Sequence, residues 1–109
     1  MDRLKDKVAL VTGGGSGIGR ASCALFAAQG AKVMVADYVA EGGNATVEQI
    51  IAAGGEASFV QADVSQSAEV QNMIAQTVQT YGRVDILFNN AGIEGPSAKL
   101  ANYPEEAWD

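Results

Sequence analysis

Five of the 13 glycines in this chain crowd into one stretch, Thr12-Gly-Gly-Gly-Ser-Gly-Ile-Gly19. The stretch follows an apolar run, Val8-Ala-Leu-Val11, and precedes Arg20-Ala-Ser-Cys-Ala-Leu-Phe-Ala-Ala-Gln29, which has helical composition. A glycine-dense turn between a strand and a helix lets the backbone approach a phosphate. The N–H groups that open the helix then point at the anion, and the helix dipole favours its charge. The spacing, Gly13-x-x-x-Gly17-x-Gly19, does not fit the G-x-G-x-x-G fingerprint in any register. Glycines also serve simple tight connections. What points to a phosphate-bearing ligand is the placement, between strand and helix in a βαβ unit of suitable length.

Asp37 ends the second apolar run, 20 residues after Gly17. An acidic group there can accept hydrogen bonds from the hydroxyls of an adenosine ribose. It also selects: a 2′-phosphate about 4 Å away would be opposed by roughly 4 kcal/mol per charge pair at an effective dielectric near 20. Tyr38, not an arginine, follows it. The pairing of glycine turn and carboxylate therefore favours NAD over NADP.

Asp63-Val64 follows the third strand-like run. Asp63 can accept from an adenine amino group while the Val64 amide bonds a ring nitrogen, or Asp63 can instead cap the helix that follows. Asn89-Asn90-Ala91-Gly92 ends the fourth run. Small residues there let the backbone pass close to a flat or sugar-like ligand, and an Asn side chain can equally tie neighbouring strand ends together.

No residue set for catalysis is apparent. Hydride transfer to a carbonyl needs a proton donor tuned towards neutral pH. With no histidine, the candidates are Tyr38, Tyr81 and Tyr103, and none has a lysine four residues on. Cys23, the single cysteine, lies within the first helix as a small buried residue, forms no internal disulfide and fits a reducing cytoplasm. Zinc and transition-metal sites lack support. A net charge of −6 with scattered Lys and Arg argues against a nucleic-acid groove. No apolar run approaches a membrane span or a signal peptide.

These residues need a scaffold to gather them. Strands are expected at Lys7–Thr12, Lys32–Asp37, Ala57–Ala62 and Val84–Asn89. Helices are expected at about Gly17–Gln29, with Ile18, Ala21, Leu25 and Ala28 on one face; Ala40–Ala53, with Val47, Ile50 and Ile51 inward; and Ser67–Tyr81. The third carries Val70, Met73, Ile74, Thr77, Val78 and Tyr81 at helical spacing, with Ser65 or Ser67 as its N-cap. The order βαβαβαβ with single-helix crossovers requires parallel strands and a doubly wound α/β sheet, whose ligand sits at the strand carboxyl ends. Pro104-Glu-Glu-Ala-Trp-Asp109 reads as the first turn of a further helix, so a fragment is expected.

Taken together, Thr12-Gly-x-x-x-Gly-Ile-Gly19, Asp37, Asp63-Val64 and Asn89-Asn-Ala-Gly92 resemble the short-chain dehydrogenase/reductase family over the whole chain. The gap between Gly13 and Gly17 is similar to that of its main branch. The resemblance implies an NAD(P)-dependent oxidoreductase on a Rossmann-like sheet, strand order 3-2-1-4 in this half, usually a dimer or tetramer, acting on a secondary alcohol or ketone. It further implies that Gly13, Ser16, Gly17, Ile18 and Gly19 line the pyrophosphate and ribose path, that Asp37 holds the adenosine ribose and Asp63 and Val64 the adenine, and that Asn90, Ala91 and Gly92 lie near the second ribose. The family's catalytic Asn, Ser and Tyr-x-x-x-Lys have no counterpart in these 109 residues. The chain is thus expected to be the cofactor-binding portion of a longer enzyme and inactive alone, with a non-catalytic dinucleotide-binding module as the alternative. Its open fourth strand predicts poor solubility of the isolated polypeptide.

Overall fold

A computed structural model describes residues 3–90. Ala91, Gly92, the segment 93–102, Tyr103 and the helix start at Pro104 lie outside the described residues. In chain order the elements are β1 (Val8–Thr12), α1 (Gly17–Ala28), β2 (Lys32–Asp37), α2 (Ala40–Ala52), β3 (Glu56–Gln61), α3 (Ser67–Tyr81) and β4 (Ile86–Asn89). The strands form a parallel sheet in the order β3-β2-β1-β4, as the single-helix crossovers require.

Strand alternation sends the apolar runs to both faces. Ala9, Val11, Val33 and Val35 meet Cys23 and Ile50, with Phe26, Ala27 and Val47 packed alongside, on the α1/α2 face. Leu10, Met34 and Ala36 meet Met73 on the α3 face, flanked by Val70, Ile74 and Tyr81. β1 is buried at every position and β2 at all but its ends, which accounts for their unbroken apolar sequence. Phe26 and Phe88 meet edge to face, centroids 6.2 Å apart, and tie α1 to the outer strand β4. At the other end of β4, the Val8 N–H donates to Asp85 Oδ2 at 2.9 Å and the Asp85 N–H donates back to the Val8 carbonyl at 2.9 Å.

Four helical expectations are corrected. The Ile18–Ala21–Leu25–Ala28 face of α1 turns outward, with Ile18 66% and Leu25 58% exposed, while Gly19 and Cys23 are buried. α1 is apolar nearly all round, so periodicity offers two faces. Close approach of Gly19 to the Gly13 carbonyl selects between them: a Cβ on Gly19 would collide with that carbonyl. In α2, Ile50 is buried but Ile51 is exposed, and in α3 Val78 is exposed. The N-cap of α3 is Gln66, with no side-chain capping bond, not either serine. Asp63 Oδ1 accepts from the Ser65 amide and hydroxyl, and the Glu69 carboxylate accepts the Asp63 N–H at 2.6 Å.

Among the described residues, no helix is long and apolar enough to cross a membrane.

Candidate functional site at the strand carboxyl ends

The parallel register brings Thr12, Ala36, Val60 and Asn89 into line across the sheet. The residues just beyond them are the glycine turn, Asp37, Asp63 and Asn90, so the sheet gathers the separate sequence motifs along one edge. That edge is where ligands of open α/β sheets lie.

The glycine turn leaves β1 with Gly13 at φ 66° and enters α1 with Gly17 at φ 56°, the left-handed region that favours glycine. A Cβ on Gly17 would meet no heavy atom within 4 Å, and Ser16, Gly17 and Ile18 are exposed. The Ser16 side chain makes no capping bond. The first N–H groups of a helix have no intrahelical partner, so the opening turn of α1 presents donors on an open surface. This is the arrangement that suits a pyrophosphate.

Asp37 is fixed by the main chain. Its Oδ2 accepts the Gly15 N–H at 2.8 Å and its Oδ1 accepts the Val39 N–H at 2.8 Å. Each carboxylate oxygen has a further lone pair. The carboxylate is therefore oriented before any ligand arrives and retains acceptor capacity suited to a vicinal diol. The Asp37 carbonyl accepts the Ala62 N–H, which sets Asp63 and Val64 beside the end of β2.

Asp63 does not cap α3, whose N-cap is Gln66. Its carboxylate closes a turn on Ser65, and those hydrogen bonds hold its pKa below the usual carboxylate range. The Val64 side chain packs on the α3 core. On β4, the Asn89 side chain has the tying role: Thr12 Oγ1 donates to Asn89 Oδ1 at 2.8 Å. The Asn90 N–H donates to Thr12 Oγ1 at 2.8 Å, and Asn90 Nδ2 reaches the Gly13 carbonyl at a long 3.4 Å. Asn90 thus sits at the glycine turn; Ala91 and Gly92 lie outside the described residues.

Four further residues shape the site without having been singled out by sequence. Arg20 and Thr46 bind the carbonyls of the glycine turn. Gly42 and Gly43 let α2 approach that turn and Phe59: a Cβ on Gly42 would stand 2.7 Å from the Gly15 carbonyl oxygen, and one on Gly43 would overlap the Phe59 ring. The Gly42-Gly43 pair inside a helical segment was the available signal, since glycine there weakens a helix and needs a packing reason.

The remaining candidates differ in burial: Cys23 is buried, Tyr81 half-buried and Tyr38 exposed. Burial pushes the Cys23 thiol up to about 12, so it carries no thiolate at neutral pH. Tyr81 is half-buried; burial raises its pKa, and it shares a 2.9 Å hydrogen bond with Ser58. Tyr38 is 68% exposed at the end of β2. Among the described residues, no group of three His, Cys, Asp or Glu side chains is placed to hold a metal. A cavity of about 740 Å³, lined by Lys5, Lys32, Gln49 and Glu56 among others, opens at the amino ends of β2 and β3. It lies at the opposite end of the sheet from Asp37, so its size is no argument for the ligand site.

A parallel sheet in this order, with a glycine turn joining β1 to α1, defines the Rossmann-like class. The chain belongs to the short-chain dehydrogenase family: residues 7–109 match the family model described as short chain dehydrogenase. It is 48% identical over 108 residues to tropinone reductase-like 2 of Erythroxylum coca, covering 98% of this chain and 38% of that protein. It is 42% identical over 101 residues to the mitochondrial borneol dehydrogenase of Lavandula x intermedia, covering 92% of this chain and 37% of the other. Among solved structures, the hydroxysteroid dehydrogenase of Escherichia coli superposes with a TM-score of 0.81 at 35% identity, over 92% of this chain and 45% of that one. The chain therefore spans less than half the length of these proteins.

Proposed function

We propose that the full-length gene product is a nicotinamide-dependent oxidoreductase that transfers hydride between NAD and a secondary alcohol or ketone, and that Gly13, Ser16, Gly17, Ile18, Gly19, Asp37, Asp63, Val64, Asn90, Ala91 and Gly92 belong to its cofactor site. The reading rests chiefly on the bond between Gly15 N–H and Asp37 Oδ2. That bond joins the phosphate-suited turn to the ribose-suited carboxylate in one rigid unit. The exposed first turn of α1 receives the pyrophosphate, with Ser16, Gly17 and Ile18 along its path. Asp37 accepts from the adenosine ribose and opposes a 2′-phosphate, which favours NAD over NADP. Asp63 and Val64 flank the adenine. When bound, the nicotinamide supplies or accepts the hydride, and this part of the chain orients it.

The names of the relatives support a small alcohol or ketone as substrate: a tropinone reductase-like protein, a borneol dehydrogenase and a hydroxysteroid dehydrogenase. A homo-oligomer, dimer or tetramer, and a reducing cytoplasmic setting complete the proposal.

Purified full-length gene product, supplied with NAD or NADP and a panel of secondary alcohols, tests it through the absorbance of the reduced nicotinamide. Turnover with at least one alcohol, faster with NAD, is expected. Saturable NAD binding with no turnover on any alcohol or ketone would leave the binding-module reading instead.

A further inference from the structure

Arg20 sits one residue past the glycine motif, yet its guanidinium turns back onto the motif. Nη2 donates to the Gly15 carbonyl at 2.6 Å and to the Gly42 carbonyl at 3.2 Å, while Nε donates to Thr46 Oγ1 at 2.9 Å. The buried Thr46 hydroxyl donates onward to the Gly14 carbonyl at 2.7 Å, with the Gly42 carbonyl 3.1 Å away. One planar cation and one hydroxyl thus collect the carbonyls of residues 14, 15 and 42, stapling the glycine turn to the first turn of α2.

Gly15 is held through both of its flanking amides. Its carbonyl accepts from the Arg20 cation, and Gly15 N–H donates to the Asp37 carboxylate at 2.8 Å. Charged partners make these the stronger kind of hydrogen bond; in the amide that carries the Gly15 N–H, the Gly14 carbonyl accepts from Thr46, so that amide is polarised from both ends. Fixing the carbonyl side limits how residue 15 can turn, and so fixes the direction from which its N–H meets Asp37. Backbone contact leaves little slack, because a Cβ on Gly15 would lie 2.8 Å from both Asp37 Oδ2 and the Gly43 nitrogen.

We propose that Arg20, with Thr46, is a positioning residue that orients the Asp37 carboxylate through the Gly15 peptide and thereby sets affinity for the dinucleotide; the affinity part rests on the dinucleotide reading above. Arg20 does not touch the ligand in this account. Lysine does not replace it, since a single ammonium lacks the fixed fork that reaches a hydroxyl and a carbonyl together.

Two measurements on the full-length gene product test the proposal. The first is amide hydrogen exchange without ligand. Arg20→Met is expected to speed exchange of the Gly15 amide by roughly tenfold or more, the scale of one charge-assisted hydrogen bond. Unchanged exchange would overturn the staple. The second is NAD affinity in a double-mutant cycle with Asp37→Ala. Arg20→Met is expected to weaken NAD binding by roughly tenfold in the unaltered background and by less than about twofold once Asp37 is gone. Equal weakening in both backgrounds would mean that Arg20 acts on the fold at large, and would overturn the positioning role. Should Arg20→Met fail to fold, Thr46→Val and Thr46→Ser take its place: serine is expected to keep both readouts and valine to lose them, and identical behaviour of the two would refute the account. An unaltered protein that binds no NAD would refute the dinucleotide reading, while the exchange comparison would still decide the staple.

Discussion

At the scale of single residues, the proposed cofactor selectivity rests on Asp37. Its two oxygens are already aligned by the Gly15 and Val39 amides, so removing it deletes a prepared acceptor and a fixed negative charge together. Asp37→Ala in the full-length gene product is expected to lower the NAD-to-NADP preference in kcat/KM by at least about tenfold. That is well within the roughly 4 kcal/mol that a close charge pair can contribute. Unchanged preference in a side-by-side kinetic comparison would remove Asp37 from the selecting role. Asp85 offers a test of a different kind. Burial raises its carboxyl pKa, but the Val8 N–H and the Arg83 pair, 2.7 Å away, outweigh burial and leave it lowered. A carboxyl whose pKa is lower in the folded chain stabilises above its unfolded value of about 4, and that contribution is lost as pH falls through the folded pKa. Asp85→Asn is therefore expected to lower the thermal midpoint at neutral pH by an amount equivalent to about 1 kcal/mol, with the gap to the parent closing in acid. A gap that persists undiminished below pH of about 3 would show that the charge is not what matters. Asp37 and the glycines stand out in the sequence because their types and spacing suit a dinucleotide site. Arg20 and Thr46 do not, because their partners are backbone carbonyls, and an arginine near a helix start carries no signature of where its fork will turn.

At the scale of elements, backbone contact decides what periodicity leaves open. The strands were readable almost residue by residue, since β1 and β2 are buried on both faces and must be apolar throughout. Helix rotation was not. α1 has apolar residues on two faces, and the inward one was chosen by the approach of Gly19 to Gly13, a tertiary contact. The same logic applies to α2. Gly43 leaves room for the Phe59 ring, and Phe59 in turn packs against the α1/α2 core. Gly43→Ala gains helix propensity worth up to about 1 kcal/mol, but the added methyl must displace an aromatic ring at an overpacking cost of about 1–3 kcal/mol. Net destabilisation by about 1 kcal/mol is expected from chemical denaturation; a stabilised variant would mean that the ring moves aside freely.

For the molecule as a whole, the sheet does two things at once. Its order places β1 and β2 in the centre and the ends of all four described strands along one edge, where the motifs meet. On the same molecule α1 turns outward a face that exposes Ile18 and Leu25. An exposed apolar helix face promotes association, so the 109-residue polypeptide made alone is expected to self-associate in light scattering; a monodisperse monomer with a cooperative melt would contradict this. The strand carboxyl ends, and not the cavity at the amino ends of β2 and β3, are proposed to bind the dinucleotide. The most direct test is the hydrogen-exchange footprint of NAD on the full-length gene product. Protection is predicted over residues 13–20 and 36–39, with the Lys5–Lys32–Glu56 cavity unaffected. Protection confined to that cavity, or none at saturating NAD, would contradict the account.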